Sequence, residues 1–199
     1  DNCRYIKIAG NLFAHNHNRN PYFKTAATGV IAHNLIYNPG NQAIHTHWVK
    51  QEWEGHADPP RARISIVGNV LIPGRDTRVK AFVYGDHAEL FLEDNRIEGN
   101  ENGLPISTGS FHLASESPFP LNSQRDASAV KDFVLKNAGA RPADRDPIDR
   151  RIIDSVQKGR GRIIDSQEEV GGYPDHKPVF RKLEIPQNRV QEWLDEWSG

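Results

Sequence analysis

Three groups of residues have the type and spacing to do chemistry. The first is the loop Asn16 to Lys24, NHNRNPYFK, where Arg19 and Lys24 stand five residues apart and Pro21 stiffens the turn between them. Asn16, Asn18 and Asn20 add short polar groups. Two cations held on a stiff turn suit a polyanion whose carboxylates repeat along its length. A solvated basic turn is the plainer alternative. The second group is a pair of H-x-H units, His15/His17 and His45/His47. Residues two apart in a strand share a face, so four imidazoles on neighbouring strands could hold a zinc ion. No spacing among them matches a strong zinc motif. The third group is Asp86, Glu89, Glu93 and Asp94. Their alternation with apolar residues reads as the wet face of a strand, and nothing marks a carboxylate pair for glycoside hydrolysis.

The elements that must position these residues show in a short template: an apolar residue three before an Asn and another two after it. Ile8, Asn11 and Phe13 fit, as do Ile31, Asn34 and Ile36. Ile66, Asn69 and Leu71 follow, then Leu92, Asn95 and Ile97. The asparagines lie 23, 35 and 26 residues apart. A strand-bearing period in the twenties marks a solenoid, whose units bury their apolar faces only by stacking. Alternation in IKIAG, ISIVG and AELFLED supports strands. Asn tolerates the left-handed conformation of a sharp bend, and its amide can donate to and accept from the next coil as a ladder. An antiparallel sandwich with asparagines at its turns is the competing fold.

The long spacing holds an insertion, His45 to Arg63, expected as an excursion from one coil packed by Trp48 and Trp53, with Pro59-Pro60 excluding regular structure. Trp48 is expected as an anchor rather than a sugar platform, and His33 on or near the coil surface. Leu104 to Arg125, rich in Ser and Pro, reads as extended chain draped over the surface. Asp126 caps a helix to about Asn137, with Ala127, Val130 and Val134 on its apolar face. Asp146-Pro147 opens a second helix with Ile148, Ile152, Ile153 and Val156 as its stripe. A last helix is expected over Gln187 to Trp197, docked by its tryptophans. The division expected is coils over residues 1–103 and an extended and helical tail over 104–199.

A net charge of −1 provides no field for nucleic acid or an anionic membrane, and no apolar run is long enough to span a bilayer. The lone Cys3 excludes an internal disulfide. With no Met anywhere and a strand-like run directly after Arg4, the chain reads as beginning in mid-domain.

NLFAHNHNRNPYFK followed by GVIAHNLIYNPG resembles the polysaccharide lyase family that contains pectate lyases, which fold as a right-handed parallel β-helix. The family pattern is Arg-x-Pro-x-x-Arg after an Asn-rich strand, and here it is Arg19-Asn20-Pro21-Tyr22-Phe23-Lys24. The tail DPIDRRIIDSVQKGRGRIIDSQEEVGGYP resembles C-terminal extensions of bacterial members. The resemblance implies an all-β solenoid with short helices in a C-terminal extension. It implies a secreted or periplasmic enzyme that cleaves pectate or a related polyuronate by β-elimination. Arg19 matches the base that takes the proton from C5, and Lys24 stands where a second arginine is usual. His17 and Asn18 join Lys24 as expected substrate contacts. The resemblance further implies Ca2+ on acidic residues that would precede Asp1, on an N-terminal portion of the same protein, so no metal ligand is assigned in this chain.

Removing the C5 proton builds negative charge beside a carboxylate, and cations held there stabilise it. A free guanidinium titrates above about 12, so an arginine base needs cationic neighbours or burial, and Lys24 or a histidine is the alternative base. A non-catalytic β-helical carbohydrate-binding or structural domain is the contrasting function, because a solenoid serves either.

Overall fold

The computed structural model describes residues 2–101, 103–119, 125–173 and 185–197. Asp1, 120–124 of the extended stretch, and Pro174 of the tail motif lie outside them. The chain divides into two units, Asp1–Ile164 and Asp165–Gly199.

The first unit is a parallel β-solenoid of about 4 turns. Its strands are β1 (Ile6–Ala9), β2 (Leu12–Ala14), β3 (Tyr22–Lys24), β4 (Thr28–Ala32), β5 (Leu35–Tyr37) and β6 (Ile44–His47). They continue with β7 (Ala62–Val67), β8 (Val70–Ile72), β9 (Val83–Glu93), β10 (Arg96–Ile97) and β11 (Ser107–Leu113). All pairings are parallel. One face stacks β1, β4, β7 and the second half of β9; another stacks β2, β5, β8 and β10. A third stacks β3, β6 and the start of β9, because that long strand passes from one face to the next.

The two template positions explain the stacking. Ile8, Ile31, Ile66 and Leu92 fall in register on one face, and Phe13, Ile36, Leu71 and Ile97 on another. All eight belong to one core, with Ile31, Ile36, Ile66 and Leu71 wholly buried. Each fully buried aliphatic side chain contributes about 1.5–3 kcal/mol.

The asparagines form the expected ladder. Asn11 Nδ2 donates to Asn34 Oδ1 at 3.0 Å, Asn34 to Asn69 at 2.9 Å, and Asn69 to Asn95 at 3.0 Å. Each receiving oxygen also takes the backbone N–H of the asparagine one coil before. The second amide hydrogen returns to a backbone carbonyl at Ile8, Ile31 or Ile66. One detail differs from expectation. The left-handed residue is the one before each asparagine: Gly10 (φ 70°), His33 (φ 53°), Gly68 (φ 63°) and Asp94 (φ 45°). The bend and the ladder are therefore divided between neighbours, with the Asn amide aimed along the stack.

His33 is buried rather than superficial, because the segment after the last coil covers this corner. Its Nε2 accepts the Arg125 N–H at 3.2 Å, and a Cβ on Gly68 would stand 2.6 Å from its ring. Ser107–Leu113 is likewise no loose drape. It is β11, paired with β9. Small residues permit that approach, since a Cβ on Gly109 would lie 2.0 Å from Gly85 O.

Two helices cover the β5/β8 face: α1 (Val130–Asn137), preceded by a 3-10 turn that Asp126 caps, and α2 (Pro147–Gln157), capped by Asp146. Ala127, Val130, Val134 and Val156 pack there on Leu35, Tyr37 and Val70. A polar clip holds α2. Asn38 Nδ2 donates to His15 Nδ1 (3.0 Å), which leaves His15 Nε2–H to donate to Ser155 Oγ (2.9 Å). Asn38 Nδ2 also donates to Asp76 Oδ2 at 3.0 Å. In the second unit, Ser166 and Glu169 form a capping box on the 3-10 turn Gln167–Val170, and α3 spans Val190–Trp197.

Candidate active site

The β3/β6/β9 face carries the groups left over from the core. Parallel register sets Tyr22 beside His45 and His45 beside Tyr84, and two residues on it sets Lys24 beside His47. Side chains two apart share a face, so an aromatic row, Tyr22–His45–Tyr84, runs across three coils. Tyr22 and His45 stack with centroids 4.3 Å apart and planes 9° apart. Burial pushes His45 down to about 4, with the Arg19 and His47 charges acting the same way and a backbone hydrogen bond opposing them. His45 is therefore a neutral aromatic floor at ordinary pH. Burial also raises Tyr22 above the usual phenol range.

Loops stacked coil on coil deliver cations to one edge of this row. Arg19 comes from the first, Asn41 and Gln42 from the second, Arg78 and Lys80 from the third, and together with the row they line an open groove of ≈ 710 Å³. The loops are tied by their backbones: Asn20 N–H donates to Ala43 O (3.1 Å), Gly40 N–H to Asn16 O (3.1 Å), and Arg78 N–H to Gly40 O (2.8 Å). Asn20 is wholly buried and its Nδ2 donates to Gln42 O at 2.8 Å. It is thus a fastener for the loops and not a ligand.

Arg19 is exposed, adopts φ 64°, and holds its guanidinium 5.5 Å from the Tyr22 ring centroid. Among the described residues no carboxylate pairs with it. The left-handed backbone alone does not single it out, because His15 and Asn38 share it at other bends of the same loops. What separates Arg19 is a free charge on a groove.

The other expected contacts divide. Asn18 lines the groove. His17 is exposed beside it, 3.2 Å from both the Asn18 and Asn41 amides. Lys24 faces an adjoining hollow that also includes Arg19, and it is ion-paired with Glu52 of the insertion. The H-x-H histidines do not converge. His15 binds Asn38 and Ser155, His17 meets Asn41, His45 stacks on Tyr22, and His47 pairs with Asp86. Each has its own partner, so they do not form one ligand set. Trp48 stacks on His87 at 4.9 Å, an anchor for the insertion as expected.

Calcium takes six to eight oxygen ligands, carboxylates foremost. Among the described residues no carboxylate lines the groove, and no cluster of three or more His, Cys, Asp or Glu could hold a metal. The donor set on this face does not fit the ion, so no step is derived through it.

Sequence reasoning missed Tyr84, Arg78 and Lys80. The loop from Pro73 to Phe82 carries no asparagine template of its own, so its register was not readable. His47 was noticed only as half of an H-x-H unit.

Among the described residues no helix is long and apolar enough to cross a membrane. No family model matches the chain. It is similar to proteins named "Probable pectate lyase C". That of Aspergillus flavus is 27% identical over 184 residues, covering 85% of this chain and 41% of that protein. Those of Neosartorya fischeri and Aspergillus terreus are 26% and 24% identical, with coverage of 84% and 40%, and 85% and 41%. The chain spans about two fifths of the length of these relatives. The resemblance to pectate lyases and the parallel β-helix read from the sequence are both borne out.

Proposed function

From that likeness to pectate lyases as premise, we propose that the chain carries the reacting face of a secreted polysaccharide lyase acting on pectate or a related polyuronate by β-elimination. One observation carries the reading: Arg19 is a cation without a carboxylate partner, set on a solvent-facing groove with Arg78, Lys80 and an aromatic floor. An extended acidic polymer laid across the coils would meet sugar-sized aromatic faces below and guanidinium or ammonium groups along one edge. Arg19 is the base for the C5 proton. Arg78 and Lys80 hold carboxylates of neighbouring sugars, and Asn18 and His17 contact hydroxyls. Lys24 acts by charge across the adjoining hollow, its grip weakened by Glu52. The carboxylate-free groove also keeps like charge away from a substrate that becomes more negative in the transition state. When bound, calcium would supply further stabilisation of that charge from ligands other than this face.

The test is absorbance of the unsaturated product after incubation with polygalacturonate or esterified pectin, with and without chelator. Product from polygalacturonate supports the proposal. Chelator sensitivity supports a metal held elsewhere in the protein. Oligosaccharide binding without product favours a carbohydrate-binding domain and removes the enzyme.

A further inference from the structure

Two residues beyond the aromatic row, β6 ends at His47. Its Nδ1 lies 2.7 Å from Asp86 Oδ2, on the neighbouring strand. Asp86 is itself held: its N–H donates to Thr46 Oγ1 at 3.0 Å, and Thr46 Oγ1 donates back to Asp86 O at 3.1 Å. A carboxylate acceptor obliges Nδ1 to carry hydrogen. Nε2 is then the nitrogen left for a ligand, and among the described residues it has no partner. The side chain is 48% exposed and lines the same groove as Arg19. An imidazole oriented through one nitrogen by a carboxylate, with the other open on a groove, is equipped for proton transfer. A surface ion pair of little energetic value is the plainer account of the contact.

Resting on the lyase reading above, we infer that His47 is the acid that protonates the leaving glycosidic oxygen, with Asp86 as its positioning residue. Arg19 enters the groove from the loop before β3, whereas His47 follows His45 by two residues, about 7 Å further along the strand direction. The two groups therefore approach the row from different ends. In a galacturonate ring the C5 hydrogen and the C4 oxygen lie on opposite faces, so base and acid must be separate groups. Arg19, the base of the proposed function, takes the C5 proton. The C5–H electron pair forms the C4=C5 double bond, and the C4–O4 pair departs with oxygen. O4 receives the Nε2 proton of the His47 imidazolium, giving neutral imidazole and a free hydroxyl on the released chain. Solvent restores both protonation states.

The experiment compares wild type, His47→Gln, His47→Ala and Asp86→Asn on polygalacturonate, recording kcat, KM and thermal stability across pH. His47→Gln is expected to lower kcat on the order of 10²-fold with little change in KM. The pH dependence of kcat should differ between this variant and wild type. Added imidazole should restore turnover to His47→Ala, and Asp86→Asn should lower kcat less than His47→Gln. A His47→Gln kcat within about twofold of an active wild type overturns the inference and leaves the lyase reading standing. A wild type without product on any polyuronate overturns both. A lowered Tm with unchanged kcat and pH profile reduces the pair to a structural contact and also overturns it.

Discussion

The solenoid has two polar corners, and they are built on opposite principles. At the Asn11–Asn34–Asn69–Asn95 corner the amides are consumed by one another and by the backbone. At the Arg19/Gln42/Lys80 corner the backbones are tied together while charged side chains stay open on a groove. The difference shows how a polar residue's job can be read from what it has left over. A side chain whose hydrogen bonds are complete holds the fold. One with unspent charge, on loops that are themselves fastened, is available to a ligand.

The largest effect should come from breaking the ladder. Asn69→Ala strips two hydrogen bonds from buried Asn34 and one donor from Ile31 O, a loss of at least about 3 kcal/mol at roughly 1–3 kcal/mol for each of the three orphaned groups. Denaturant unfolding checks it, and a loss below about 1 kcal/mol would dissolve the contrast between the corners.

The ladder has no titratable group, so acid sensitivity must come from elsewhere. His45 is pushed down to about 4 by burial, and burial lowers His15 and His33 as well. The His45 ring stays neutral in the fold down to about 4, whereas the unfolded chain takes up protons below about 6.5, and His15 and His33 shift in the same direction. Stability is therefore complete above that value and drains as pH falls toward about 4, with His45 contributing up to about 3 kcal/mol of the loss. Thermal unfolding between pH 7 and pH 4 should show this slope, flattened in His45→Phe. An unchanged slope in that variant would count against the neutral floor.

On the groove side, Arg78→Ala and Lys80→Ala should each raise KM for polygalacturonate about tenfold, about 1.4 kcal/mol, with Tm nearly unchanged. The smallest effect belongs to Glu52→Ala. It removes the exposed partner of Lys24 at a cost under about 1 kcal/mol, and improved KM in that variant would bring Lys24 back to the substrate.

The ladder corner was legible because its constraint is local and repeated: an asparagine, two apolar positions in phase, and a turn. The groove was half legible. Arg19 and Asn18 sit within one short loop, so their proximity shows in the chain order. Tyr84, Arg78 and Lys80 reach the same place only through a long insertion and a strand that passes between faces, and no local pattern records that register. His33 and β11 were misjudged for a related reason. A histidine in a turn and a Ser-rich stretch look wet until a distant segment covers one and a ladder takes up the other.

The central claim, that the open corner is where a polyuronate loses a carbon-bound proton, is tested most directly with Arg19→Ala. Unsaturated product from polygalacturonate should fall on the order of 10³-fold, while Tm stays within the small range of exposed substitutions. An Arg19→Ala protein that is folded and makes product at the wild-type rate would contradict the account.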